Sequence, residues 1–102
     1  MSPPKLSRQE NIAAKRAARG IIGTPAPNWS EYGHDKKMDM LQQLIGSLRG
    51  SENIGIAEKI EQNNALGWRV FGEKCKSMRA EERKLASMQG SLIFLLGLQL
   101  IC

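Results

Sequence analysis

Met38, Leu41, Leu44, Ile45 and Leu48 recur at steps of three and four residues. That spacing follows the helical period and sets the apolar side chains along one face. Asp35 can cap such a helix at its start, and Gly50 can end it. The same steps return in Ile56, Ala57 and Ile60. They return again in Trp68, Phe71, Cys75, Met78 and Leu85, where Glu82 interrupts the stripe. Asn63-Asn64 and Gly67 lower helix propensity, so a break is expected near residues 62–65 and a further helix over residues 65–89. The pattern predicts an all-α chain. Its 102 residues make one domain at most, and with five aromatic residues its core must rest on Leu, Ile and Met. Ten glycines point to short or interrupted helices.

Charge divides the chain. Residues 1–30 hold Lys5, Arg8, Lys15, Arg16 and Arg19 against the one acid Glu10, whereas the other 72 residues hold 10 bases and 9 acids. A localised cationic segment points to a polyanionic partner, while evenly spread charge serves mainly solubility. Ser7-Arg8-Gln9-Glu10 has the capping-box spacing. Ala13, Ala14, Ala17 and Ala18 then favour a helix over residues 8–19, with Gly20 where a terminating glycine would stand. Its apolar face is weak: Leu6, Ala13 and Ala17, with Ile12 displaced onto the basic side. The segment is therefore expected as a frayed arm that orders on binding. Pro25 and Pro27 make residues 20–30 a linker. The expected architecture is a small bundle of three to four short helices over residues 31–102. A basic, partly disordered N-terminal arm and Pro-containing linker, residues 1–30, precede it.

Two apolar features stand apart from the helix pattern. Trp29 and Tyr32 directly follow the linker, where an aromatic pair folds back as a core plug or anchors a partner. Residues 92–102 hold one polar side chain, Gln99. As a helix they rise about 16 Å, against about 30 Å of bilayer hydrocarbon, so no transmembrane span is expected. Segment 91–102 reads as a core element, as one buried in a protein partner or a second subunit, or as a shallow membrane insertion. Trp29, Leu92, Phe94, Leu95 and Leu98 are the candidate partner-interface residues of the chain. With two cysteines, Cys75 and Cys102, and no apolar secretory region at the N-terminus, a reducing intracellular compartment is expected, cytoplasm or nucleus. Residues 5–19 also share the basic, Ala-rich, acid-poor composition of a mitochondrial transit peptide.

Catalytic and metal chemistry find little support. His34, the only histidine, adjoins Asp35, and no Ser or Cys is tied to the pair by spacing. One His and two Cys separated by 26 intervening residues match no zinc spacing, so no metal is expected. Cys75 lies on the apolar stripe, where a buried small hydrophobe is the ordinary role. Gly67-Trp-Arg-Val-Phe-Gly72 lacks the Gly-Lys-Ser/Thr ending of a phosphate loop. Glu81-Glu82 are interleaved with Arg79, Arg83 and Lys84, which reads as a salt-bridged solvent face. No enzyme, cofactor or small-molecule substrate is expected.

The body adds one basic face. Lys76, Arg79 and Arg83 stand at i, i+3 and i+7, on one side of a helix. Asn53-Ile-Gly-Ile-Ala-Glu-Lys-Ile60 followed by Glu73-Lys-Cys-Lys-Ser-Met78 is similar to the second and third helices of Myb/SANT-like domains. That resemblance implies a three-helix bundle whose last helix enters the major groove, with Lys74, Lys76, Arg79 and Arg83 toward the nucleic acid. Two functions follow as expectations. One is a non-catalytic nucleic-acid-binding protein, DNA or RNA, acting through Lys5, Arg8, Lys15, Arg16 and Arg19 and through Lys76, Arg79 and Arg83. The alternative is a helical interaction subunit, adaptor or inhibitor that buries its apolar C-terminal segment in a larger partner.

Overall fold

A computed structural model describes residues 5–101, with side chains as far as Gln89. Four helices follow in order: α1 (Arg8–Ile22), α2 (His34–Gly50), α3 (Ile54–Gln62) and α4 (Asn64–Ile101). A 3-10 turn, Trp29–Glu31, lies between α1 and α2. The small all-α bundle expected from the sequence is what the chain forms, although α4, at 38 residues, is not short. Leu41, Leu44 and Leu48 of α2 are fully buried with Ile60 of α3 and Val70, Phe71 and Cys75 of α4. Met40 joins the α2 stripe as a buried residue, and Met38 is half-buried.

The break between α3 and α4 falls at Asn63, whose backbone is extended at φ −143° and ψ 91°. At the end of α2, Asn53 N–H donates to the Leu48 carbonyl (2.7 Å) and Glu52 N–H to the Arg49 carbonyl (3.1 Å). This pair of bonds closes orphan carbonyls in the Schellman manner. Glu52, at φ 66°, takes the left-handed position that glycine usually fills.

Helix α1 departs most from expectation. Its capping box forms: Glu10 N–H donates to Ser7 Oγ (3.1 Å), and Ser7 N–H donates to Glu10 Oε1 (2.9 Å). The segment is not a frayed arm, however, but a docked helix. Ala14 and Ala18 are 0% exposed and Ile22 is 8% exposed, all within the common core. The reason is the size of the alanines. Methyl side chains let helix axes approach closely, so a face that scores weakly for hydropathy still packs. Lys59 Nζ donates to Glu10 Oε1 at 2.7 Å and ties the start of α1 to α3. That bond, with the Ser7 N–H behind it, holds the Glu10 carboxyl below the ordinary carboxylate range.

The proline-containing stretch is anchored by a residue that interrupts the sequence stripe. Ala26 is buried between Pro25 and Pro27, which have no N–H of their own. Its N–H donates to both carboxylate oxygens of Glu82, at 2.8 and 3.2 Å. Glu82 thus clamps the linker onto α4. Over residues 83–89 the helix lies outside the core. Among the described residues Met78 is the last of α4 buried in the core, and Leu85, expected on the buried stripe, is 56% exposed. Residues 83–89 are all exposed. Among the described residues no helix is long and apolar enough to cross a membrane.

Two substitutions test this packing. A Cβ at Gly67 would overlap Leu41 Cδ1 and lie 3.0 Å from Ile60 Cγ2. Gly67→Ala should lower unfolding stability by about 1–3 kcal/mol in urea titration, despite the better helix propensity of alanine. An unchanged or raised midpoint would contradict the close approach. Glu82→Ala leaves the Ala26 N–H without its acceptor and should remove about 1–3 kcal/mol. Glu82→Gln, which keeps a carbonyl oxygen there, should recover most of that loss in the same titration.

Candidate nucleic-acid interface

The α4 core line, Phe71, Cys75 and Met78, fixes which residues stand on its two flanks. On one flank stand Lys76, Arg79 and Arg83, with Gly72 a turn earlier. They line an open hollow of about 440 Å³ whose other wall is Asn28, Trp29 and Ser30. No acid lines it, and among the described residues none of the three cations lies in an ion pair. Arg79 also reaches toward the core. Burial pushes the Cys75 thiol up, against the opposing pull of the Arg79 charge. Cys75 is buried, as its place on the stripe predicts.

Trp29 is held from several sides. Its ring stacks on Phe71, with centroids 4.9 Å apart and planes 13° apart. Tyr32 meets it edge-on at 6.0 Å. Lys37 Nζ stands 5.4 Å from the Trp29 ring centroid. Asn28 starts the 3-10 turn by accepting the Ser30 hydroxyl at 3.0 Å. Trp29 remains half-buried, so it is both plug and wall. Beyond it lies a second hollow of about 260 Å³, lined by Trp29, His34, Lys37 and Trp68. His34 is exposed, at the first residue of α2, and its ring meets Trp68 edge-on at 6.4 Å. Trp68 Nε1 is buried and has no hydrogen-bond partner.

The opposite flank of α4 faces α1. Lys15 pairs with Glu73 at 2.8 Å and Arg19 with Glu81 at 3.3 Å. Both pairs advance together along the two sequences, so α1 runs in the same direction as the first half of α4. Lys15, Arg16, Arg19 and Lys74 line a hollow of about 430 Å³ around Ile12, which is 50% exposed. Lys74 therefore does not share a face with Lys76, Arg79 and Arg83, contrary to what the Myb/SANT resemblance implies. Lys5 lines a further hollow with Asn11, Arg69 and Glu73, and its carbonyl accepts from Lys59 Nζ at 3.4 Å. Arg8 is exposed on the first turn of α1.

The structure thus divides the expected cations into two groups and weakens one of them. Lys15 and Arg19 are matched by α4 acids, because α1 lies against that helix. Lys76, Arg79 and Arg83 are not. Sequence reasoning missed Lys37 and Trp68 as members of the site. The Lys36-Lys37 pair close behind Trp29 and Tyr32 was the available signal for the first. Trp68 read as core because it keeps the helical step to Phe71. The candidate interface residues Leu92, Phe94, Leu95 and Leu98 have side chains outside the described residues. Among the described residues no three His, Cys, Asp or Glu side chains come together as a metal site. Compared with protein-family models, with curated proteins and with solved structures, the chain matches none.

Proposed function

We propose that this chain is a small, non-catalytic nucleic-acid-binding protein that holds phosphates in the groove between α4 and the Trp29 turn. The observation that carries the reading is the unpaired set Lys76, Arg79 and Arg83 in a hollow lined by no acid. Like charges at i, i+3 and i+4 on a helix destabilise it by a few tenths of a kcal/mol per pair. No ion pair among the described residues offsets that repulsion here, although Arg79 and Arg83 share a neighbouring hollow with Glu82, whose carboxylate takes the Ala26 N–H, whereas Lys15 and Arg19 are each paired with an α4 acid. An external polyanion supplies the missing charge. Arg8, Arg16 and Lys74 add secondary phosphate contacts on the other side of the molecule. Such contacts position a nucleic acid without reading its sequence.

A second reading, a helical interaction subunit, is favoured by α4 beyond Glu82. There Leu85 and Met88 are 56% and 59% exposed, and the helix continues to Ile101. In that reading a larger protein covers this apolar side of α4. Deleting residues 91–102 would then leave the bundle folded and abolish the association.

Charge reversal tests the first reading. Three groove cations imply a log–log salt slope for binding of about −2 to −3. Lys76→Glu, Arg79→Glu and Arg83→Glu together should cut affinity roughly tenfold or more at low salt and flatten the slope. Arg8→Glu with Arg16→Glu should cost only a few-fold. Fluorescence anisotropy with a labelled oligonucleotide measures both. A slope near zero for the unaltered protein, or a greater loss from the α1 pair, would remove the reading.

A further inference from the structure

The groove cations do not stop at a wall of inert side chains. They lead to Trp29, and Trp29 divides their hollow from the second one. From Arg83 through Arg79 and Lys76 the lining is cationic. It then becomes aromatic at Trp29, cationic again at Lys37, and aromatic at His34 and Trp68. Cations interleaved with π-faces are the requirement for holding unpaired bases while tracking their phosphates. Duplex bases are stacked on one another and present no free face to a tryptophan.

Resting on the nucleic-acid reading, we infer that the strand bound here is single-stranded, and that it places a base in the hollow between Trp29 and Trp68. Phosphates lie on Lys76, Arg79 and Arg83. One further observation fits a base in that hollow. Its lining has no acid, so it does not repel the phosphates on either side of the base. Stacking is tolerant of base identity, so little sequence preference is expected.

The chain has two tryptophans, Trp29 and Trp68, and both are in this lining, so intrinsic fluorescence reports the site directly. Trp68→Phe leaves Trp29 as the only tryptophan, and Trp29→Phe leaves Trp68, each read by exciting at wavelengths where Tyr32 does not absorb. Short oligodeoxythymidine, or oligouridylate if RNA is the preferred strand, should quench the emission of both variants. A duplex of equal length should quench neither. Trp68→Leu should weaken single-strand affinity roughly five- to a hundredfold with duplex affinity unchanged, its fold being checked by circular dichroism. Quenching by either single strand with the affinity loss at Trp68→Leu supports the inference. Equal single-strand and duplex affinity without quenching overturns it and leaves the nucleic-acid reading standing. Failure of every oligonucleotide to bind overturns both.

Discussion

At Gly67 the backbone of α4 comes close enough to Leu41 and Ile60 that their side chains occupy the place of a Cβ. Three helices meet there, and the meeting orients the longest of them. With Gly67 against α2 and α3, Phe71, Cys75 and Met78 must follow into the same core. The rest of the α4 circumference is then assigned. Glu73, Lys74 and Glu81 turn toward α1, whereas Lys76, Arg79 and Arg83 turn toward the Trp29 segment. Ala14 and Ala18 complete the arrangement by the same means, since small side chains let α1 lie close to its neighbours. Close approach at a few small residues therefore determines where the charge of the molecule ends up.

That distribution differs from the one along the chain. Residues 1–30 carry almost all of the net charge, yet in space part of it is cancelled by α4 acids. Of the four ion pairs among the described residues, Lys59–Glu10 is part-buried and the other three lie at the surface, where each contributes about 0–1 kcal/mol and does little for stability. Their consequence is electrostatic. They leave Lys76, Arg79 and Arg83, on the flank of α4 away from α1, without an ion-pair partner among the described residues. A patch of three like charges is a mild liability to an isolated helix. Its persistence beside an aromatic wall is what directs attention away from the N-terminal segment.

The sequence made some of this legible. Leu41, Leu44, Ile45 and Leu48 have large apolar side chains at helical steps, and burial of such side chains dominates the energetics, so α2 could be placed from the pattern alone. The Ser7–Glu10 cap and the break at Asn63 are local chemistry and were equally readable. The docking of α1 was not. Alanine contributes little apolar area, so its face gives no strong signal, and only a partner backbone shaped to receive it reveals its role. Glu82 was unreadable for the opposite reason: a carboxylate on an apolar stripe looks like an interruption until the Ala26 N–H appears opposite it. Helical spacing grouped Lys76, Arg79 and Arg83 correctly. No spacing rule could show that Trp29, more than forty residues earlier, would form the facing wall.

The linker thus governs the site more than the helices do. Its backbone offers few hydrogen bonds, since Pro25 and Pro27 donate none, and a segment of that kind would otherwise stay loose. Three ties remove that freedom. Glu82 takes the Ala26 N–H, Asn28 starts the turn through Ser30, and Trp29 stacks on Phe71. Each tie is short-range and joins a different chemical group, so none substitutes for another. A tryptophan serving only as a plug would be expected to be fully enclosed. Trp29 instead keeps part of its surface open between two hollows, with Lys37 near its ring. Proline rigidity, one part-buried carboxylate contact and one aromatic stack thereby convert the connector into the wall that separates the cationic groove from the aromatic one.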